Sequence, residues 1–78
     1  MKSVKIYGTP SCPFCVKAKQ FLDDSGIEYE NIDVSVDQGK AQEMMQKSGQ
    51  MGVPVIDIEG EIIVGFDKAK IEKALGLS

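Results

Sequence analysis

Residues 7–22 read YGTPSCPFCVKAKQFL and carry both cysteines of the chain, Cys12 and Cys15, where a strand-like run gives way to a helix-like one. Upstream, Val4 and Ile6 alternate with lysine at period two, so residues 3–7 predict a strand with one apolar and one polar face. Gly8 to Ser11 supplies turn residues. Downstream, Phe14, Val16, Ala18, Phe21 and Leu22 recur at largely helical spacing, Pro13 suits a first helical turn and Gly26 a stop, so a helix is predicted over 13–25. A second strand is predicted over 28–34, EYENIDV. Two strands joined by a helix of this length make a parallel, right-handed unit. The cysteines therefore sit at a strand-to-helix crossover.

Further along, Ser35 and Gln38 have the spacing of a capping box, and Ala41, Met44 and Met45 repeat at helical intervals until Gly49, which predicts a helix over 37–48 with Gly39 weakening its first turn. Two apolar runs, 55–58 and 62–64, flank a turn at 59–61 and predict a hairpin. Asp67 is the predicted N-cap of a last helix that carries Ala69, Ile71, Ala74 and Leu75 and closes at Gly76. The order is βαβ, α, ββ, α. Met44, Met45 and Met51 read as core or gap-filling residues.

Size and charge narrow the function. A chain of 78 residues buries only roughly 60–65% of its unfolded surface, so residues 1–78 are expected to form one α/β domain. With 42% hydrophobic and 27% charged residues the chain falls in neither the disordered nor the fibrous class. A net charge of -3 and a pI near 4.8, without any Lys/Arg block, give no footprint for nucleic acid. The longest apolar run is Ile62 to Val64, so neither a membrane span nor a signal segment is expected and the chain reads as cytoplasmic. In that compartment two cysteines are kept reduced at rest, which fits reversible oxidation better than a structural bridge.

The spacing of the cysteines sorts the remaining chemistry. A Cys12–Cys15 disulfide closes so short a loop that it restrains the unfolded chain less than the ~3 kcal/mol of a fifteen-residue loop. Zinc and iron–sulfur sites usually need four N or S ligands, and the chain has two cysteines and no histidine, so no metal is expected. Electron exchange uses what is present. At a helix N-terminus Cys12 faces free N–H groups and the positive end of the dipole, and thiolates in such motifs have pKa values of ~3.5–7.5 against ~8.5 for free Cys. Cys15, one turn deeper, faces inward and can resolve a mixed disulfide formed on Cys12. Pro13 removes one N–H and limits the fall in pKa. Lys17 and Lys19 read as a solvated helix face.

Three stretches in register, CPFC after YGTPS, GVPVI before the hairpin and VGFDKAKI before the last helix, resemble the glutaredoxins from residue 3 to about residue 75. The resemblance implies the thioredoxin-like (glutaredoxin) fold, a four-stranded mixed sheet flanked by three helices, with the first two strands parallel and the hairpin antiparallel to the first. It implies a monomeric thiol-disulfide oxidoreductase that uses glutathione to reduce glutathione mixed disulfides and protein disulfides. It also implies a cis Val53–Pro54 bond, with Val53 beside the glutathione cysteinyl backbone and with Phe14 and Pro54 among the glutathione-binding residues. Gly65, Phe66 and Asp67, in place of the usual Gly-Cys-Asp, would receive the γ-glutamyl end, where opening helix N–H groups suit a carboxylate and Asp67 suits an ammonium while also serving as a cap.

Two positions depart from the family pattern. Thr9 stands where a glutathione-binding Lys is often found, and Gln50 stands for the Arg, Lys or Gln that reaches the glycyl carboxylate, with Lys47 one turn away as an alternative donor. GFD followed by KAKI also resembles the glutaredoxin-like redoxins that are recycled by thioredoxin reductase and serve ribonucleotide reductase. A third reading, an iron–sulfur carrier in which two chains and two glutathiones share a cluster, is disfavoured by Pro13.

Overall fold

The first strand forms as β1 (Val4–Gly8), and it is buried on both faces rather than one. The computed structural model, which describes residues 3–50 and 52–76, places β1 in the middle of a sheet ordered β2-β1-β3-β4. Its neighbours are β2 (Glu30–Asp33), parallel to it, and β3 (Val55–Ile58), antiparallel to it; β4 (Glu61–Val64) pairs antiparallel with β3 at the other edge. The helices are α1 (Pro13–Asp24), α2 (Gln38–Ser48) and α3 (Lys68–Leu75). This is the four-stranded mixed sheet with three helices that the resemblance implies.

Side-chain alternation divides the core between the two faces of the sheet. Val4, Ile6, Ile56, Ile58 and Ile63 point to one face, where Ala18 and Leu22 of α1 and Ile71 and Ala74 of α3 cover them. Tyr7, Ile32 and Val55 point to the other, where Met44 of α2 covers them. Each large aliphatic side chain in the first cluster contributes about 1.5–3 kcal/mol by leaving water. Two-sided cover explains why β3 has no exposed residue at all, Asp57 included. Met45 is exposed, so of the sequence's gap-filling methionines only Met44 fills the core, and Met51 lies outside the described residues.

Local chemistry sets the element ends. α1 begins at Pro13 with Cys12 as N-cap, and α3 begins at Lys68 with Asp67 as N-cap. α2 is capped by Asp37, whose Oδ1 accepts the Lys40 N–H at 3.0 Å. The Ser35–Gln38 capping box does not form, because Asp33 Oδ1 takes both the Ser35 N–H, at 2.9 Å, and its hydroxyl, at 2.5 Å, in a turn after β2. Gly49 and Gly76 end α2 and α3 in the left-handed region. The β3–β4 turn needs positive φ at both Glu59 (53°) and Gly60 (91°), and the Asp57 carboxylate steadies it by accepting the Gly60 N–H at 2.8 Å. Among the described residues, no helix is long and apolar enough to cross a membrane.

Candidate active site

Cys12 occupies the N-cap of α1 with extended backbone (φ -87°, ψ 114°), and its Sγ accepts the Cys15 N–H at 3.3 Å. An oxygen usually takes this role; a sulfur here satisfies one of the free N–H groups of the first turn and draws negative charge to it. The Cys12 N–H donates to the Thr9 carbonyl at 3.3 Å, which closes the turn ahead of the helix. Across the site the Cys12 Sγ lies 3.9 Å from the Val53 carbonyl oxygen. The Val53–Pro54 peptide is cis, as the resemblance implies.

Cys15 is fully buried because it belongs to the apolar stripe Cys15, Ala18, Leu22 of α1. Its seat exists because residue 8 is glycine. A Cβ at Gly8 would lie 2.6 Å from the Cys15 Sγ and 3.2 Å from its Cβ, so a larger residue at the end of β1 would collide with the second cysteine. In the sequence Gly8 reads as a turn residue. The available signal was a glycine ending a strand, which often marks a close approach.

The two thiols are driven apart in acidity. Burial opposes ionisation of Cys12, but the Cys15 thiol, the Cys15 and Phe14 N–H groups and the charge of Lys19 together hold its pKa below the ordinary thiol value. For Cys15, burial and the hydrogen bond it makes to Cys12 dominate and push its pKa up to about 11. Lys19, which the sequence placed on a solvated face, is half-buried and acts electrostatically on both sulfurs and on Asp33. Its spacing, seven residues from Cys12 and four from Cys15, was a readable sign that it shares their side of the helix. Lys17 instead lies 5.3 Å from the centroid of the Phe14 ring.

Around this centre the other candidate residues take distinct places. Phe14 presents an exposed ring next to Cys12. The Gly65 N–H donates to the Pro54 carbonyl at 2.8 Å, which ties the 65–67 turn to the cis-proline loop. Phe66 packs edge-on against Phe21, centroids 6.2 Å apart, and Asp67 caps α3 by accepting the Lys70 N–H at 3.2 Å. The Gln50 side chain is turned onto Gly52, at 3.1 Å and 2.9 Å. Lys47 is engaged beneath the sheet, 2.6 Å from Asp57 and 2.9 Å from the Tyr7 hydroxyl, so its ammonium is not a free substitute for a carboxylate ligand. The structure thus assembles Cys12, Cys15, Val53, Pro54 and Gly65 and leaves the two candidate donors of α2 and its loop engaged with other protein groups, Lys47 with Asp57 and Tyr7 and Gln50 with Gly52.

Comparison with known proteins agrees with this geometry. The glutaredoxin family model matches residues 4–63. A glutaredoxin-like 8.6 kDa protein from the rubredoxin operon of Clostridium pasteurianum is 47% identical over 72 residues, covering 92% of this chain and 96% of that protein. Glutaredoxin 3 of Escherichia coli K12 is 34% identical over 67 residues, 86% of this chain and 81% of its own. Among solved structures, a thioredoxin-like protein superposes with a TM-score of 0.91 at 31% identity over the whole of both chains.

Proposed function

The chain belongs to the glutaredoxin family of thiol oxidoreductases, and on that premise we propose that it reduces glutathione mixed disulfides and protein disulfides with Cys12 as nucleophile and Cys15 as resolving thiol. The observation that carries this reading is the pairing of an acidified Cys12 at a helix N-cap with a buried Cys15 held near pKa 11. Of the two thiols, Cys12 is the one that ionises more readily and so supplies the nucleophile.

The Cys12 thiolate attacks one sulfur of the substrate disulfide. A Cys12–sulfur bond forms, the substrate S–S bond breaks, and the other sulfur leaves as a thiolate that takes a proton from solvent. Val53 offers backbone groups to an extended cysteinyl segment beside Cys12. From this mixed disulfide two routes return reduced enzyme. A glutathione thiolate can attack the sulfur attached to Cys12, giving a glutathione disulfide and the Cys12 thiolate. Alternatively Cys15 gives up its proton and attacks Cys12, releasing the bound partner as a thiol and leaving a Cys12–Cys15 disulfide for the electron donor to reduce. Gly65, Phe66 and Asp67 are the proposed seat of the γ-glutamyl end.

Turnover of a glutathione mixed disulfide, recycled by glutathione and glutathione reductase, is expected to persist in Cys15→Ser and to vanish in Cys12→Ser. Full activity in Cys12→Ser would overturn the mechanism.

A second reading concerns the electron source. Thr9 is uncharged, Gln50 is bonded to Gly52 and Lys47 to Asp57, so the corner where many relatives hold the glycyl carboxylate with a cation lacks those charges here. That favours a redoxin recycled by thioredoxin reductase for delivery to a partner such as ribonucleotide reductase. Side-by-side rates with glutathione and with thioredoxin reductase decide between the two sources.

A further inference from the structure

Both polar atoms of the Gln50 side chain are taken by a single residue: Nε2 donates to the Gly52 carbonyl at 3.1 Å and Oε1 accepts the Gly52 N–H at 2.9 Å. A primary amide used in this way imitates the edge of a neighbouring strand, with donor and acceptor side by side. Gly52 is what admits it. A Cβ at Gly52 would lie 2.6 Å from the Gln50 Oε1, while the backbone of Gly52 does not occupy the left-handed region, so a side chain here would push the Gln50 amide aside rather than strain the backbone.

The clamp sits between two fixed points. On the approach side the Lys47–Asp57 pair pins the last turn of α2, and the Ser48 hydroxyl oxygen accepts the Gln50 N–H at 3.3 Å while lying 2.8 Å from the Met44 carbonyl oxygen. On the exit side the Pro54 carbonyl is held by the Gly65 N–H at 2.8 Å. Between them stands Val53, its carbonyl 3.9 Å from the Cys12 Sγ, and among the described residues nothing else pairs with the Val53 backbone.

We propose that Gln50 is a positioning residue whose amide clamps Gly52 and holds the Val53 edge against Cys12, so that this corner recognises a substrate by main-chain pairing to its cysteinyl residue and not by charge on a carboxylate. The proposal rests on the reading of Val53 as the substrate-facing edge. Its consequence is specificity. A cysteine inside a polypeptide has no adjacent C-terminal carboxylate, so such mixed disulfides are accepted on equal terms with those of glutathione.

The test is a cycle of Gln50→Ala, Gly52→Ala and their double variant, assayed on a glutathionylated cysteine peptide. Each single change is expected to raise KM about five- to tenfold with kcat little altered, the effect of two modest hydrogen bonds, and the double variant to be no worse than either. Losses that add, or a Gly52→Ala variant with unchanged KM, would overturn the clamp. In the wild type, esterifying the glycyl carboxylate of the glutathione moiety is expected to change KM by less than about twofold, since charge recognition would make that loss far larger. A large loss overturns the recognition mode. Amide exchange at Gly52 supplies a readout free of turnover: the Gly52 N–H is slow in the wild type and fast in Gln50→Ala, and an unprotected wild-type amide refutes the clamp directly. Wild-type protein that protects Gly52 yet fails to reduce the peptide would instead refute the functional reading on which the proposal rests.

Discussion

At Cys12 a sulfur does the work that a helix usually assigns to a Ser or Asp oxygen, and the same hydrogen bond that caps α1 stabilises the thiolate. The pH dependence follows from the direction of the two shifts. The reactive species is deprotonated, so the alkylation rate of reduced protein is expected to rise through a midpoint below the ordinary thiol value and then level off, while Cys15 stays unreactive until pH approaches about 11. Cys15→Ala, which deletes a donor to that thiolate, should move the Cys12 midpoint upward; an unmoved midpoint would remove Cys15 from the account. Gly8 gives the steric counterpart. Gly8→Ala puts a methyl 2.6 Å from the Cys15 Sγ, an overpacking expected to cost about 1–3 kcal/mol, and thermal melts should show that Cys15→Ala in the same chain recovers most of the loss. Equal losses in the single and double variants would place the strain elsewhere.

At the scale of elements, α2 is held to the sheet by polar contacts as much as by its one buried residue, Met44. Lys47 reaches Asp57 on β3 and the Tyr7 hydroxyl on β1, and Tyr7 donates onward to Glu43 at 2.5 Å. Burial raises the Asp57 pKa, but the Lys47 hydrogen bond, the Gly60 N–H and the Lys47 charge outweigh it and leave the carboxyl below its ordinary value. A lowered carboxyl stabilises the fold above its unfolded pKa and loses that contribution as pH falls through the folded one. Lys47 is held above the usual lysine range, so its side of the pair fails only at strongly alkaline pH. Asp57→Asn is accordingly expected to lower Tm near neutrality by about 5–15 °C, corresponding to a loss of about 1–3 kcal/mol for a partly exposed pair, and to flatten the acid limb of the stability curve. A wild-type acid limb in the variant would show that Asp57 does not shape it. None of this was legible in VIDI, where one acidic residue in an apolar strand looks like an outward position. The α1 crossover was legible because cap, proline and apolar spacing all lie within fifteen residues, and Asp67 with Gly76 marked α3 for the same reason. The α2 network joins positions forty residues apart, and the competition between Ser35 and Asp37 for the helix start turned on where Asp33 points.

Over the whole molecule the two faces of the sheet are unequal. Among the described residues, nine buried side chains from α1, α3 and three strands form one cluster, against four on the α2 side, where the ion pair is partly open to solvent. Local opening free energy follows buried apolar contact, so α2 is the element expected to open first. Native-state hydrogen exchange should find amides of residues 42–48 exchanging about tenfold or more faster than the most protected amides of β1, β3 and α1. One common rate for all helices would mean that the fold opens only as a unit. The asymmetry also divides the proposed chemistry. Cys12, Cys15 and Gly8 belong to the α1–β1 crossover, whereas Gln50, Gly52 and Val53 follow directly from the end of α2. Low denaturant concentrations that loosen α2 should therefore raise KM for a mixed disulfide before they change the alkylation midpoint of Cys12. If the two properties shifted together, the thiol pair and the substrate edge would have to be stabilised by the same cooperative unit, and nucleophile and recognition edge would not be separate.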